Sequence, residues 1–201
     1  MKEYAAENYY HAYNRGVAKQ PMFHDEKDYY HFLHILERHL DPNDSTTKSD
    51  GTLYRKFNDD IELLSFCLMK NHYHLLFYIN KNHDSLHLLM QSVMTAYTMY
   101  FNKKYKRVGT LFQGVFKASR ITDDSYLIHI SRYIHMNPND YLNYPFSSIA
   151  CYLRPNNNVL PWLKAERVLA LFEGAHYKEF LADYEGQKTM LKELKSELAD
   201  F

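Results

Sequence analysis

Two β-prone runs separated by a two-residue turn are the feature that most constrains how this 201-residue chain can fold. The runs at 61–69 and 72–79 are apolar, and the break between them predicts an antiparallel hairpin. Residues two apart on a strand face the same side, so the second run places His72 and His74 side by side. Neutral imidazole is the commonest metal ligand in proteins. The pair therefore predicts two ligands of a metal site. The simpler alternative is that both histidines are buried in the core without binding a metal.

A helix pattern further along the chain brings a phenol and an amide to one face. A polar residue at 122–124 can cap a helix over 124–136, and Pro138 ends it. Tyr133 and Asn137 lie four positions apart, so they share a face of this helix. The simpler alternative is a half-buried tyrosine and a helix-ending asparagine.

The order of the patterned segments predicts an α+β fold. Strand patterns fall at 9–14, 61–69, 72–79 and 115–121, and helix patterns fall at 25–40, 86–105 and 124–136. The first six match a ferredoxin-like βαββαβ unit, an antiparallel sheet with two helices on one face. The other face is then open to the last helix or to a nucleic acid. Beyond residue 143 the patterns are helical, so we expect a helical C-terminal extension over residues 144–201.

The histidine strand and the tyrosine helix together resemble the single-tyrosine HUH transposases, and among them the REP-associated tyrosine transposases. The resemblance rests on the sequences MKNHYHLLF and LFQGVFKASRITDDSYLIHISRYIHMNP. It begins at HAYNRG, which starts at His11, and runs through YPFSS, which ends at Ser148. It therefore covers about the first three quarters of the chain, and the combination of motifs is specific although no single one is.

The resemblance implies a role for each of the four side chains. In that family two histidines bind a divalent cation and a helix tyrosine attacks a DNA phosphate. Carried over by position, His72 and His74 are metal ligands, Asn137 completes the metal site, and Tyr133 is the nucleophile. Two imidazoles and an amide oxygen suit Mg²⁺ or Mn²⁺ better than a closed structural zinc site.

The implied activity is that of a metal-dependent HUH nuclease and strand transferase, with residues 1–143 as its catalytic domain. Its substrate is single-stranded DNA beside a hairpin, which it cleaves through a 5′-phosphotyrosine intermediate. A homodimer is left open, as is the choice between a tyrosine from the same subunit and one from a partner subunit.

The chain departs from the usual pattern of that family at three places. Lys70 stands where a proline commonly precedes the Asn-His pair, and Val115 stands where an arginine commonly follows Gln-Gly. Asn139 and Asp140 replace an apolar residue and an arginine. The second and third departures remove positive charge, which bears on how DNA is contacted.

The distribution of charge identifies a candidate DNA-binding surface. The formal net charge is zero, which argues against a sequence-independent nucleic-acid coat protein, because phosphate contacts need lysine and arginine. One stretch nevertheless carries six basic residues and no acid, with aromatic residues between them, as a DNA contact does. A solvated helix end with a loop is the alternative. The six residues are Lys103, Lys104, Lys106, Arg107, Lys117 and Arg120.

Other features of the composition predict a cytoplasmic protein without a membrane segment. Cys67 and Cys151 are far apart in sequence and fit free thiols in a reducing compartment. No apolar run approaches the length of a bilayer span, and the N-terminus carries no signal-peptide pattern.

Three other functions stay open at this point. The first is a catalytically silent nucleic-acid-binding regulator on the same fold, which activity at Tyr133 would distinguish. The second is a metal-dependent hydrolase that uses His72 and His74 with water and does not need Tyr133. The third is a purely structural domain, which is disfavoured because every position implied by the resemblance is occupied.

Overall fold

The computed structural model describes residues 4–155, 160–172 and 177–183. In this part of the chain, four strands form one antiparallel sheet in the order β2-β3-β1-β4. The strands are β1 (Asn8–Arg15), β2 (Ile61–Met69), β3 (His72–Ile79) and β4 (Lys117–Ile121). Strand β4 begins two residues later than its pattern indicates. The sheet order is that of the ferredoxin-like unit, so the α+β fold expected from the sequence is confirmed.

The helices lie on both faces of the sheet. Helices α1 (Glu26–Leu40) and α2 (Ser85–Tyr105) pack together on one face, and α3 (Asp124–His135) packs against β2, β3 and β4 on the other. Strand β3 shows the division directly. Tyr73 is fully buried against Phe32 of α1, whereas His74 points the other way and meets the ring of Tyr133 on α3. Strand alternation thus assigns the histidines to the α3 face.

A buried hydrogen-bond network ties the start of α1 to the end of α2. Asp25 caps α1 and forms a capping box with Asp28, which is fully buried. The Lys104 ammonium lies 2.7 Å from a carboxylate oxygen of each aspartate, and the Tyr105 hydroxyl donates to Asp28 at 2.8 Å. Burial alone would raise the pKa of Asp28, but these donors hold that pKa below its ordinary value. The network therefore fixes a charged carboxylate between two helices.

The chain after residue 143 continues along the outer edge of β2. The Leu68 N–H donates to the Phe146 carbonyl at 2.9 Å, and the Ser148 N–H donates to the Phe66 carbonyl at 3.0 Å. Trp162 is 3% exposed and stacks on Phe66 with ring centroids 6.2 Å apart. The described part of this segment thus shares the core of the sheet. The division at residue 143 itself stays a prediction.

Short helices occupy the rest of the described C-terminal part: α4 (Ile149–Leu153), α5 (Glu166–Leu169) and α6 (Tyr177–Ala182). His135 connects them to α3, because its two ring nitrogens each lie 2.7 Å from a hydroxyl, that of Tyr177 and that of Ser148. The helical pattern predicted towards residue 201 lies outside the described residues from 184 onward. Within the described ranges, no helix has the length and apolar character that crossing a bilayer requires.

Candidate active site

Strand β3 and helix α3 bring the four predicted side chains together. The rings of His72 and His74 have centroids 5.1 Å apart, and the His74 ring meets the Tyr133 ring edge-on at 5.3 Å. The Asn137 side chain hydrogen-bonds to both His72 and Tyr133. Its Nδ2 also donates to the Tyr133 carbonyl at 3.0 Å, which orients the amide one helical turn beyond the phenol. The i,i+2 spacing on β3 and the four-residue spacing from Tyr133 on α3 to Asn137, two residues beyond the end of α3, therefore converge on one site.

A fifth side chain, His11 of β1, belongs to this cluster. Its Nε2 lies 3.0 Å from His74 Nδ1, both residues are buried, and its ring is stacked near that of His74. The sequence reasoning cited His11 only as the start of a motif and gave it no role. The signal that could have found it is the alternation along β1, which places His11 on the same face as Tyr13, the register partner of His74.

The hydrogen bonds of the two histidines set their tautomers. His74 Nε2 has no partner among the described residues, whereas His72 is hydrogen-bonded to Asn137 as well as to Asn71. His72 Nδ1 lies 2.8 Å from the Asn71 amide oxygen, which can only accept, so this nitrogen carries the proton. His74 Nδ1 can donate to His11 Nε2 in the same way, and the remaining proton then sits on His11 Nδ1, which has no partner among the described residues. Such partners on the far nitrogen orient metal-binding imidazoles and set their tautomer.

Burial keeps all three imidazoles neutral. It lowers the pKa of His11 to about 3, and it lowers the pKa of His74 well below 6.5, helped by the neighbouring rings of His11 and His72. The pKa of His72 is also lowered by burial and by the charge of Arg15, against a smaller opposing effect of its hydrogen bond to Asn137. Neutral imidazole is the form that binds metal ions, so the cluster is in its ligand form at neutral pH.

The donor set fits a divalent cation that keeps open positions. Within the described ranges, no three His, Cys, Asp or Glu side chains gather as metal ligands, so a third protein ligand beside His72 and His74 would be of another residue type, as the Asn137 amide is. Two imidazole nitrogens and one amide oxygen leave coordination positions for water and a phosphate oxygen. A closed structural zinc site would need a fourth nitrogen or sulfur ligand, which this arrangement does not supply.

Tyr133 is half-buried beside the histidines and protonated at neutral pH. Burial raises its pKa, the hydrogen bond to Asn137 lowers it by less, and the neighbouring Tyr13 and Cys67 raise it further. A protonated phenol is a weak nucleophile, so chemistry at Tyr133 requires a group that stabilises the phenolate or the attacked centre.

The structure divides the six basic residues predicted to bind DNA. Lys103, Lys104, Lys106 and Arg107 lie at the C-terminal end of α2, whereas Lys117 and Arg120 lie on the edge strand β4. Lys117 pairs with Tyr13 and Arg120 pairs with Tyr10, so the two residues face opposite sides of the sheet. The six therefore do not all lie on the same face of the sheet.

At least three of these six cations have partners among the described residues. Lys104 is bound to the aspartates at the start of α1. Arg120 Nε donates to the Asn8 side-chain oxygen at 2.7 Å, and the Arg107 guanidinium lies 5.4 Å from the centre of the Phe101 ring. Lys103, Lys106 and Lys117 have exposed side chains. DNA contact by the six remains a prediction, with Lys104 the least suited to it.

The sequence matches a family model described as transposase IS200 like. The match covers residues 9–137, which is more than half of the chain. It contains β1 to β4, the helix α3, and all five side chains of the candidate site: His11, His72, His74, Tyr133 and Asn137. No curated protein matches the sequence significantly.

Solved structures share the fold at low sequence identity. A REP-associated tyrosine transposase bound to a REP hairpin aligns with a TM-score of 0.55 and 12% identity, over 84% of this chain and 91% of that one. A transposase candidate from Deinococcus radiodurans aligns with a TM-score of 0.42 and 16% identity, over 67% of this chain and 93% of its own. Of these two, the first supports the fold. The family follows from the sequence match over residues 9–137: this chain belongs to the IS200-like transposases.

Proposed function

We propose that this transposase-family chain cuts and rejoins single-stranded DNA through a covalent bond to Tyr133, with a divalent cation held by His72, His74 and Asn137. One observation carries the proposal: the Tyr133 ring lies 5.3 Å from the His74 ring, and the Asn137 amide contacts both Tyr133 and His72. The proposed nucleophile thus lies beside the three proposed metal ligands, and this proximity supports the HUH tyrosine reaction.

In the proposed reaction, the Tyr133 hydroxyl attacks the phosphorus of a DNA phosphodiester in line with the bond to the 3′ oxygen. A bond forms between the phenolic oxygen and phosphorus, the bond to the 3′ oxygen breaks, and the phenolic proton leaves while the 3′ oxygen gains one. The products are a 5′-phosphotyrosine and a free 3′-OH. Attack by a 3′-OH reverses the step, because the covalent intermediate preserves the phosphodiester energy.

A bound Mg²⁺ or Mn²⁺ supplies Lewis acidity, which neutralises charge on the attacked phosphate. The remaining work belongs to the chain. His11 and Asn71 hold the two imidazoles in the tautomer that binds a cation. Asn137 joins the end of α3 to His72, so the phenol and the imidazoles keep a constant separation. Half-burial of Tyr133 limits competing attack by water.

The proposed substrate is a single strand next to a DNA hairpin. The structural relative with the same fold is bound to a REP hairpin, which supports a hairpin partner for this chain as well. Single-stranded DNA also exposes its phosphates, whereas a duplex would hold the scissile phosphate away from a half-buried phenol.

A catalytically silent DNA-binding regulator is the second candidate. Two observations favour it: the pKa of Tyr133 is raised, and part of the predicted basic surface is paired within the chain. The raised pKa makes Tyr133 a weaker nucleophile, and the paired basic residues are less available to DNA. Neither observation removes a residue that the proposed reaction needs.

The test is covalent trapping on single-stranded oligonucleotides that contain a hairpin, in the presence of Mn²⁺. Wild-type protein is expected to form an adduct that survives denaturation and maps by mass spectrometry to the peptide with Tyr133. Tyr133→Phe and His72→Ala should form none. Tyr126→Phe, which removes a phenol near the start of the same helix, is the matched control and should react as the wild type does.

Each other outcome identifies a different function. An adduct that persists in Tyr133→Phe would mean that another residue is the nucleophile. DNA binding without any adduct or cleavage would favour the silent regulator. Metal-dependent cleavage that never passes through an adduct, and that survives Tyr133→Phe, would favour hydrolysis by water.

A further inference from the structure

A second cleft lies on the opposite side of the molecule from Tyr133, between α1, α2 and the segment 48–57. Its volume is about 610 Å³. Three cationic residues, two histidines and several hydroxyl and amide side chains line it, and none of its lining residues is a carboxylate. The cations and histidines are Arg38, Lys48, Arg55, His31 and His39. Because α1 and α2 cover the face of the sheet that His72 and His74 do not use, this cleft is separate from the candidate active site.

Arg38 is a buried guanidinium with unused hydrogen-bonding capacity. It is 9% exposed, and its Nε has no partner among the described residues. The central guanidinium carbon lies 3.9 Å from the centre of the Tyr54 ring, a cation–π contact that holds the side chain in place. A buried donor without a partner costs stability. An oxyanion in the cleft would remove that cost, because guanidinium binds planar oxygen pairs in a bidentate manner.

His39 is the second buried group with an unused nitrogen. The segment 48–57 covers it and leaves it 2% exposed. Its Nδ1 lies 2.7 Å from the Arg55 carbonyl, which can only accept, so Nδ1 carries the proton. Its Nε2 has no partner in the described ranges and is therefore an acceptor while the ring is neutral. Arg38 and His39 both line the cleft, and they carry a buried donor and a buried acceptor that have no partner among the described residues.

Among the described residues, no acidic side chain forms a hydrogen bond or an ion pair with the Arg38 guanidinium. The carboxylate that acts on it electrostatically is Asp44, which lies 3.2 Å from the Lys56 ammonium and also accepts hydrogen bonds from Thr46. Lys56 in turn donates to the Arg38 carbonyl at 2.8 Å, so it holds the backbone at this point. The Asp44 carboxylate is therefore already bound to Lys56 and Thr46. The positive charge of Arg38 stays available to a ligand.

We propose that this cleft binds a phosphate monoester, with Arg38 and His39 at its base and Lys48 and Arg55 at its rim. A monoester has a second ionisation near pH 6 and brings an exchangeable proton that His39 Nε2 can accept. A diester in a DNA backbone has no such proton, and it could donate nothing to that nitrogen. The same chemistry is offered by inorganic phosphate, by a 5′-mononucleotide and by a 5′-phosphorylated DNA end. The assignment does not depend on chemistry at Tyr133.

The test is the Nε–H resonance of Arg38 in nitrogen-15-labelled, full-length protein, assigned by its loss in Arg38→Gln. Four probes are titrated: inorganic phosphate, thymidine 5′-monophosphate, and a thymidine oligonucleotide with and without a 5′-phosphate. The resonance is expected to shift in a saturable way with each phosphate monoester. The oligonucleotide without the 5′-phosphate should leave it in place. Inorganic phosphate should give the same kind of shift, and comparison of its affinity with those of the two monoesters identifies the preferred source.

Variants distinguish phosphate binding in the cleft from non-specific electrostatic attraction. Arg38→Gln should weaken phosphate binding at least about tenfold, because it removes a hydrogen bond to a charged group. Lys48→Ala and Arg55→Ala remove exposed rim cations and should weaken it a few fold. Lys81→Ala removes an exposed lysine that does not line the cleft and should change nothing.

Three results would overturn the proposal. One is the absence of a saturable shift at tens of millimolar phosphate in the wild type. Another is an equal loss of affinity in Lys81→Ala and in the rim variants, which would indicate a non-specific charge effect. A shift of the same size with the unphosphorylated oligonucleotide would show that the ligand is a diester. If Arg38→Gln does not fold, the wild-type titration and the rim variants still decide the question.

Discussion

Replacing His11 by leucine tests whether the candidate site depends on a residue that the sequence did not reveal. The change removes the nitrogen that lies 3.0 Å from His74 Nδ1. His74 is 3% exposed, so water has little access to replace the lost partner. The His74 ring then loses the contact that sets its tautomer, although its direct neighbours Tyr133 and His72 remain.

Two magnitudes follow from this geometry. Loss of a hydrogen-bond partner on the far nitrogen of a metal-binding histidine weakens metal affinity about tenfold to a hundredfold, which is about 1.4 to 2.7 kcal/mol. Leaving His74 Nδ1 buried without a partner lowers the free energy of unfolding by about 1 to 3 kcal/mol. His11→Gln keeps an amide near the position of Nε2, so both losses should be smaller in that variant.

The assay is calorimetric titration with Mn²⁺, paired with urea unfolding of the metal-free protein. His83→Leu is the matched control, because it removes an exposed histidine beside Asp84 and should alter neither quantity. The reasoning is refuted if folded His11→Leu binds Mn²⁺ as tightly as the wild type. A loss of affinity in His83→Leu of the same size would show that the titration reports non-specific binding.

Four further predictions concern stability and DNA contact. Lys104→Met should lower the free energy of unfolding by about 2 kcal/mol in urea titrations, since it leaves the buried Asp28 without its cation. The loss is smaller than for a fully buried ion pair because Lys104 Nζ is partly solvated. The pKa of Asp28 is lower in the folded state, so its contribution to the free energy of unfolding is present above about pH 4 and is lost as pH falls through the folded pKa. Asp28→Asn should therefore reduce the loss of stability at acidic pH. Lys103→Ala and Lys106→Ala should each flatten the log–log salt dependence of single-strand affinity by about 0.7 if they contact phosphates, and Lys104→Met should leave the slope unchanged. Trp162→Ala should lower the free energy of unfolding by about 3 to 5 kcal/mol, with unfolding in one cooperative transition. A second, separate unfolding transition would instead support a domain boundary near residue 143.

Local pattern in the sequence predicted the strands and helices and the two side-chain pairs of the candidate site. Apolar alternation predicted the hairpin of β2 and β3 at its observed bounds, and helical spacing with an aspartate cap predicted α1 and α3. The same two periods put His72 with His74 and Tyr133 with Asn137. These predictions depend only on residues within one strand or one helix, where backbone geometry alone sets which side chains are neighbours.

Tertiary structure alone decided which of these pairs meet and which charges are left for a ligand. His11 joins His74 because of the register between β1 and β3, whose residues are 63 positions apart, and no local pattern encodes a register across a crossover. Lys104 looked like part of a basic surface, but helix packing brings it 2.7 Å from the Asp28 carboxylate, 76 residues away. Arg38 and His39 of α1 line a cleft because the segment 48–57 packs over them. In each case the deciding contact joins residues distant in sequence, so its free energy depends on the packed fold and not on the residue types alone.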